Sequence, residues 1–421
     1  MNCIKTIVPI IALVLFSTLQ TLRAEGPFQV GDYVYCKSLD FPLRAAGRDI
    51  ASSIAIGDAF MVRKTDGDWV AIWNNKSHRE EWILKPQLIS PKEMVKVCDD
   101  RIKGNPNDAD AFVTRSQVWS DKGAFDKALD DAKESVRIKP CSATYHQRGG
   151  VFAKMQKWDD SLADFDQAIR LHPDGPILFA ERGHVYLYKG DYEKALADFD
   201  EAQRIDPKME FAMAGRGQLF FRRGEFDKAL SELDTALRIN PLAAIPLNNR
   251  ALTFGKKEDF ERAIADFSLA LKCDPNASQI YVNRAKAWFK TGESDKAATD
   301  LDKAIRLKPD FAEAWQVRGV IYMNQNELQS ASINLMEAIR LDPKKELTRV
   351  DLGEVLRRLG KTEKAIECFD DELKIAPKSA LAFSGRGMAW LDRGEVQKAF
   401  QDFDSAIGSG QSHVKTPVYL A

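Results

Sequence analysis

The chain lacks a charge excess of either sign: 61 Lys and Arg stand against 62 Asp and Glu, a formal net charge of −1. Proteins that live on phosphate backbones carry a clustered basic excess, so nucleic acid is not an expected partner. No apolar run reaches the roughly 20 residues that span a bilayer as a helix. Cysteine is sparse: beyond Cys3, the residues Cys36, Cys98, Cys141, Cys273 and Cys368 are scattered without CxxC spacing. That excludes a disulfide framework and a zinc site, and leaves buried small apolar residues, with a single Cys36–Cys98 bridge still open. Histidine is scarcer still. His78, His146, His172, His184 and His413 lie far apart in the chain without HExxH spacing. There is no GxSxG, phosphate loop or dinucleotide fingerprint. Neither enzymatic activity nor a cofactor is expected.

The first 24 residues read as a secretory signal. Lys5 supplies the positive start, Ile7 to Leu19 the short apolar stretch, and Ala24 the last residue removed. The chain is therefore expected to be exported, periplasmic or extracellular, or membrane-associated if this start is retained.

Residues 25–90 carry strand signals. Val30, Tyr33 and Tyr35 precede Phe60-Met61-Val62, the Asp66-Gly67 turn, Trp69 to Trp73 and Glu81 to Leu84. So few short strands bury a core only by curling up. Leu43-Arg44, Ile56-Gly57-Asp58, Gly67-Asp68-Trp69-Val70 and Trp82-Ile83 leading to Leu88 resemble a bacterial SH3-like barrel, with Glu81 where that family has Gly. The resemblance implies binding of peptides or cell-wall material, with Trp69, Trp73 and Trp82 as candidate face residues. The competing reading makes these tryptophans core.

The dominant signal is prolines at 106, 140, 173, 207, 241, 275, 309, 343 and 377, spaced 34, 33 and then six times 34 residues. A 34-residue period marks stacked helical hairpins, each ended by its proline. With that proline as position 32, position 8 is small (Gly183, Gly217, Gly319, Gly387), position 20 is mostly Ala, and position 24 is bulky (Phe165, Phe199, Phe267, Phe369, Phe403). Tiny side chains let paired helices approach. Six units have Gly at the position 15 turn.

These residues are similar to the tetratricopeptide repeat. The expected fold is mainly α: a right-handed α-α superhelix of about nine hairpins (109–141, 142–175, 176–209, 210–243, 244–277, 278–311, 312–345, 346–379 and 380–413). The small all-β barrel precedes it, a capping helix falls in 91–108, and 414–421 forms a tail.

Position 7 is Arg in eight units, and the residue sixteen further on is Asp or Glu in seven of them; Leu352, the exception, faces Cys368. Arg–carboxylate pairs inside each hairpin are expected. The resemblance implies that positions 2, 5, 9, 12 and 13 line a concave groove. The candidates there are Leu187, Tyr188, Phe221, Arg222, Asn248, Lys256, Lys286, Phe289, Lys290, Met323 and Asn324. Asn283 is added on a neighbouring position, and Arg357 and Arg358 extend the basic side. Apolar groups beside cations suit an acidic peptide or protein partner. The last unit has Ser409 where a covered apolar residue is usual, which leaves Phe400 and Ile407 open to the tail or to self-association.

Overall fold

The computed structural model describes residue 28 and residues 33–36, 59–66, 69–74, 79–84 and 88–409. The signal and the tail lie outside them. By contacts the chain divides into two units, one of residues 1–253 with 272–275, the other of 254–271 with 276–421.

The first unit opens with six short strands: β1 (Tyr33–Cys36), β2 (Ala59–Met61), β3 (Lys64–Asp66), β4 (Trp69–Asn74), β5 (Arg79–Leu84) and β6 (Leu88–Ile89). They form two three-stranded antiparallel sheets, ordered β2-β1-β6 and β3-β4-β5, so hydrogen bonding among the described residues does not close one barrel. Val34, Cys36, Val62, Val70, Ile72, Ile83 and Leu88 make their core. Cys36 and Cys98 sit in separate clusters and are not bridged to each other.

Helix α1 (Pro91–Gly104) follows, started by a capping box between Ser90 and Glu93. The hairpins of this unit pair α2 (Ala109–Asp121) with α3 (Phe125–Ile138), α4 (Ser142–Lys154) with α5 (Trp158–Leu171), α6 (Pro176–Lys189) with α7 (Tyr192–Ile205), and α8 (Glu210–Arg222) with α9 (Phe226–Ile239). Two further helices are α10 (Ala244–Lys256) and α11 (Phe260–Cys273). In the second unit α12 (Ser278–Lys290) pairs with α13 (Ser294–Leu307), α14 (Ala312–Asn324) with α15 (Leu328–Leu341), α16 (Thr348–Arg358) with α17 (Thr362–Ile375), and α18 (Ala380–Asp392) with α19 (Val396–Gly408).

Close approach explains the glycines. A Cβ on Gly183 would come within 2.9 Å of the Phe199 ring, and one on Gly215, in the next hairpin, within 2.5 Å. The ring thus fills the space that two absent side chains leave, and is fully buried.

Arginines tie the stack. Arg148, Arg182, Arg284 and Arg386 each hold the carboxylate sixteen residues on through two parallel hydrogen bonds. Arg115 does the same with Asp131, Arg216 pairs Glu232, and Arg318 donates to Asn334. A second contact was not anticipated. Several of these arginines also reach sixteen residues back, into the preceding hairpin: Arg182 to Asp166, Arg216 to Asp200, Arg318 to Asp302 and Arg386 to Asp370. One side chain therefore fixes a hairpin internally and against its neighbour. At the far end Phe400 is 64% and Ile407 81% exposed.

Candidate functional site

First helices present their last turns at position 13. In the first unit the guanidinium of Arg222 lies 5.1 Å from the Tyr188 ring centroid, and Tyr188 stacks on Trp158 at 5.8 Å and 9°. Tyr188 is half exposed, and Arg222 is exposed with no ion pair among the described residues. In the second unit Lys256 and Lys290 are exposed at the same position, likewise without an ion pair among the described residues. Arg358 donates to the Met323 carbonyl and to Asn326 Oδ1, and Asn324 donates to the Val320 carbonyl.

Deeper on the same helices, His146 Nε2 lies 3.1 Å from Glu181 Oε2. Burial works against charge on His146, but Glu181 outweighs it and raises the imidazole pKa. Burial likewise pushes Glu181 up, and His146 more than reverses this, so the carboxyl stands below its ordinary range. With the imidazole protonated, the two form an ion pair. His184 packs against Phe199 and Phe211, and burial drops its pKa to about 4, opposed in part by Glu181. The histidines looked unrelated in the chain; the fold gathers two around one carboxylate. Among the described residues no group of His, Cys, Asp and Glu is placed to hold a metal.

The remaining candidates divide. Leu187 and Met323 are fully buried, which corrects their assignment to the groove. Position 12 turns each toward its own second helix and the next hairpin, Leu187 onto Phe199 and Leu219, Met323 onto Leu335 and Val355. Lys286 is bound by Glu313 at 2.5 Å, and Arg357 by Glu354 and Asp392, each at 2.9 Å, so these charges are already answered. Phe221 and Phe289 are half-buried, Phe221 beside Phe226. Asn248 donates to Asn249, and Asn283 accepts from Gln279. On the sheet, Trp69 and Trp82 are half-buried on the face opposite Val70, Ile72 and Ile83, as the β4–β5 register requires. The Trp73 side chain lies outside the described residues.

Two links outside the groove residues tie the strands to the helices. Tyr35 OH donates to Asp121 Oδ2 at 2.9 Å, and the Arg63 guanidinium donates to Asn240 Oδ1 at 3.2 Å and to the Leu242 carbonyl at 3.1 Å. Burial lowers the Arg63 pKa.

Hsp70-Hsp90 organizing protein 3 of Arabidopsis thaliana is 27% identical over 82 residues, covering 19% of this chain and only 15% of that relative's length. A chain of the APC/C hetero-tetramer Cut9-Hcn1 matches with a TM-score of 0.52 at 13% identity, over 73% of this chain and 74% of that one. Human IFIT1, as a dimer with PPP-AAAA, matches with a TM-score of 0.52 at 16% identity, over 71% and 72%. Such low identities speak to the fold alone. The tetratricopeptide repeat family model matches residues 147–210, 215–278, 282–345 and 350–413, more than half of the sequence. With its 34-residue hairpins, the chain belongs to the tetratricopeptide repeat family.

Proposed function

We propose that this chain is an exported scaffold that holds an extended acidic segment of a partner protein against the first helices of its hairpins. Membership of the repeat family supports a protein–protein interaction scaffold. The observation that carries the finer reading is Arg222, exposed on the Tyr188 ring and without an ion pair among the described residues. A carboxylate arriving there gains a charge-assisted bond without first breaking an internal one, and the Tyr188–Trp158 stack supplies apolar contact. Lys256 and Lys290 offer the same chemistry in the second unit. Export rests on Lys5 and the Ile7 to Leu19 stretch.

The test is fluorescence polarisation of residues 25–421 with labelled hexaglutamate and hexalysine peptides. Hexaglutamate should bind, and Arg222→Glu should weaken it at least about tenfold, roughly 1.4 kcal/mol. Equal affinity for both peptides, or an unaffected variant, refutes the reading.

A second reading gives the work to the β module as an SH3-like barrel that binds cell wall. It is favoured by Trp69 and Trp82 standing diagonally on one sheet face. Cosedimentation of the chain with purified wall, abolished in Trp69→Ala/Trp82→Ala, would support it; failure to sediment would dismiss it.

A further inference from the structure

We propose that the junction of α15, α16 and α17 docks a partner segment that presents one carboxylate between apolar side chains, with Arg349 as the charged contact and Ile333 and Met336 as the apolar one. The site lies in the second unit and uses none of the groove residues, so it stands or falls apart from the groove reading. It sits where the repeat departs from itself. In the hairpin after it, Arg386 is held between Asp370 on the preceding second helix and Asp402 on its own. In the hairpin before it, Arg318 is held in the same way between Asp302 and Asn334. Asp302 is 52% and Asp370 44% exposed, so this position opens to water. In α16 the arginine gives way to Leu352, which is buried, and the residues sixteen back and sixteen on are Met336 and Cys368. Neither place holds a carboxylate.

Exposed apolar surface stands there instead. Ile333 is 66% and Met336 57% exposed, and three residues apart on α15 they share one face. The same positions carry Thr299 and Asp302 in the hairpin before, and Glu367 and Asp370 in the one after. Helix α15 builds its buried side from Ala331, Leu335 and Ala338, so neither exposed side chain is needed to seat it.

Beside this surface is an unanswered charge. Arg349 precedes Leu352 by one turn of α16, where the neighbouring first helices carry the rings of Trp315 and Phe383. It has no hydrogen bond or ion pair among the described residues, and its Nη1 is shut off from water without an acceptor. A donor left in that state is costly, and a native chain rarely keeps one without a use. Burial, then Asp371 and Glu367, push the Cys368 thiol up to about 11, and Arg349 pulls it back, which sets the guanidinium close to Cys368. Asp371 is bonded to Lys374, Glu367 is exposed, and neither meets Arg349. The unfilled side is that of α15, where Met336 has replaced the acid. A guanidinium with free donors selects a carboxylate, and aliphatic surface next to it selects aliphatic neighbours. The partner's acid takes the place that an aspartate fills in the adjoining hairpins, and its flanking side chains cover Ile333 and Met336.

The test is fluorescence polarisation of the full chain with two labelled peptides, Ser-Leu-Leu-Asp-Leu-Leu-Ser and the same peptide with Lys in place of Asp. The Asp peptide should bind at least about fivefold tighter than the Lys peptide. Arg349→Gln should erase that preference, and Ile333→Ser/Met336→Ser should weaken the Asp peptide by at least about fivefold. Arg349 has no bond to lose and the other two side chains are exposed, so circular dichroism melts of these variants should match the parent. Arg222→Glu, in the groove, should leave the preference in place. A parent without the preference, or a preference that survives Arg349→Gln, overturns the site. A preference abolished by Arg222→Glu assigns the peptide to the groove and overturns it equally. Undiminished binding by Ile333→Ser/Met336→Ser overturns the apolar contact.

Discussion

Arg182 and Asp198, sixteen residues apart, face each other through two hydrogen bonds of 2.9 and 2.7 Å, with the carboxylate almost wholly shielded from water. The pair locks the two helices of a hairpin at one rotation. Removing Arg182 strands Asp198 in a desolvated place, whereas removing Asp198 leaves the guanidinium its bond to Asp166. Arg182→Leu should therefore cost about 3 kcal/mol in urea unfolding. The double variant Arg182→Leu/Asp198→Cys copies the natural Leu352 and Cys368 combination and should cost less than the single one. A double variant as damaged as the single would show that the pair contributes more than relief of a stranded charge.

Gly183 tests the close approach. A methyl there must displace the Phe199 ring, which Gly215 blocks from the other side. Gly183→Ala should lose about 1–3 kcal/mol, and Phe199→Leu added to it should recover part. The pattern has a precedent in the chain, where Ala285 stands at the same position in the hairpin that carries Leu301. A neutral Gly183→Ala would mean the helices separate at little expense.

The turn at position 15 needs a left-handed residue. Gly190 has φ 84° there, but Gln156 adopts φ 59° with a side chain. Gln156→Gly should stabilise by up to about 1 kcal/mol. Thermal melting decides, and a lower midpoint contradicts it.

The His146–Glu181–His184 group predicts opposed pH effects. His146 is raised in the fold, so its stabilisation is complete below the ordinary histidine value and fades as pH climbs through the raised one. Glu181 is lowered, so its share is present above the ordinary carboxylate value and fades as pH falls through the lowered one. His184 is neutral in the fold and binds a proton when unfolded, so stability falls between pH 6.5 and about 4. Replacing it by Phe keeps a ring against Phe211 and removes that dependence. Melting at about pH 7.5 and about pH 5 should show His184→Phe losing less than the parent on acidification; parallel losses would refute the assignment.

The hairpins and the arginine pairs were legible because each recurs every 34 residues, and a repeated spacing fixes which side chains meet. The backward reach of the arginines was equally periodic, in Asp166, Asp200, Asp234, Asp302 and Asp370, yet it depends on how one hairpin seats on the previous one. The groove was only half legible. Position 12 turns into the next hairpin and position 13 away from it, so Leu187 entered the core while Tyr188 beside it stayed exposed. The Arg63 anchor carries no periodicity at all. Nothing in its neighbours announces a partner 177 residues away.

Leu352 leaves one seam of the second unit without its rivet. Where Arg318 and Arg386 stitch their hairpins to the ones before them, the residue at this position has no donor to offer, and Met336 stands where the backward acid would be. In a linear array cohesion is a chain of nearest-neighbour links, and such a chain parts at its weakest one. At this seam the load falls instead on Arg358, bonded to the Met323 carbonyl and Asn326, and on Gln316, bonded to Asp351, so the hold on helices α16 to α19 under heat or pulling force depends on those side chains.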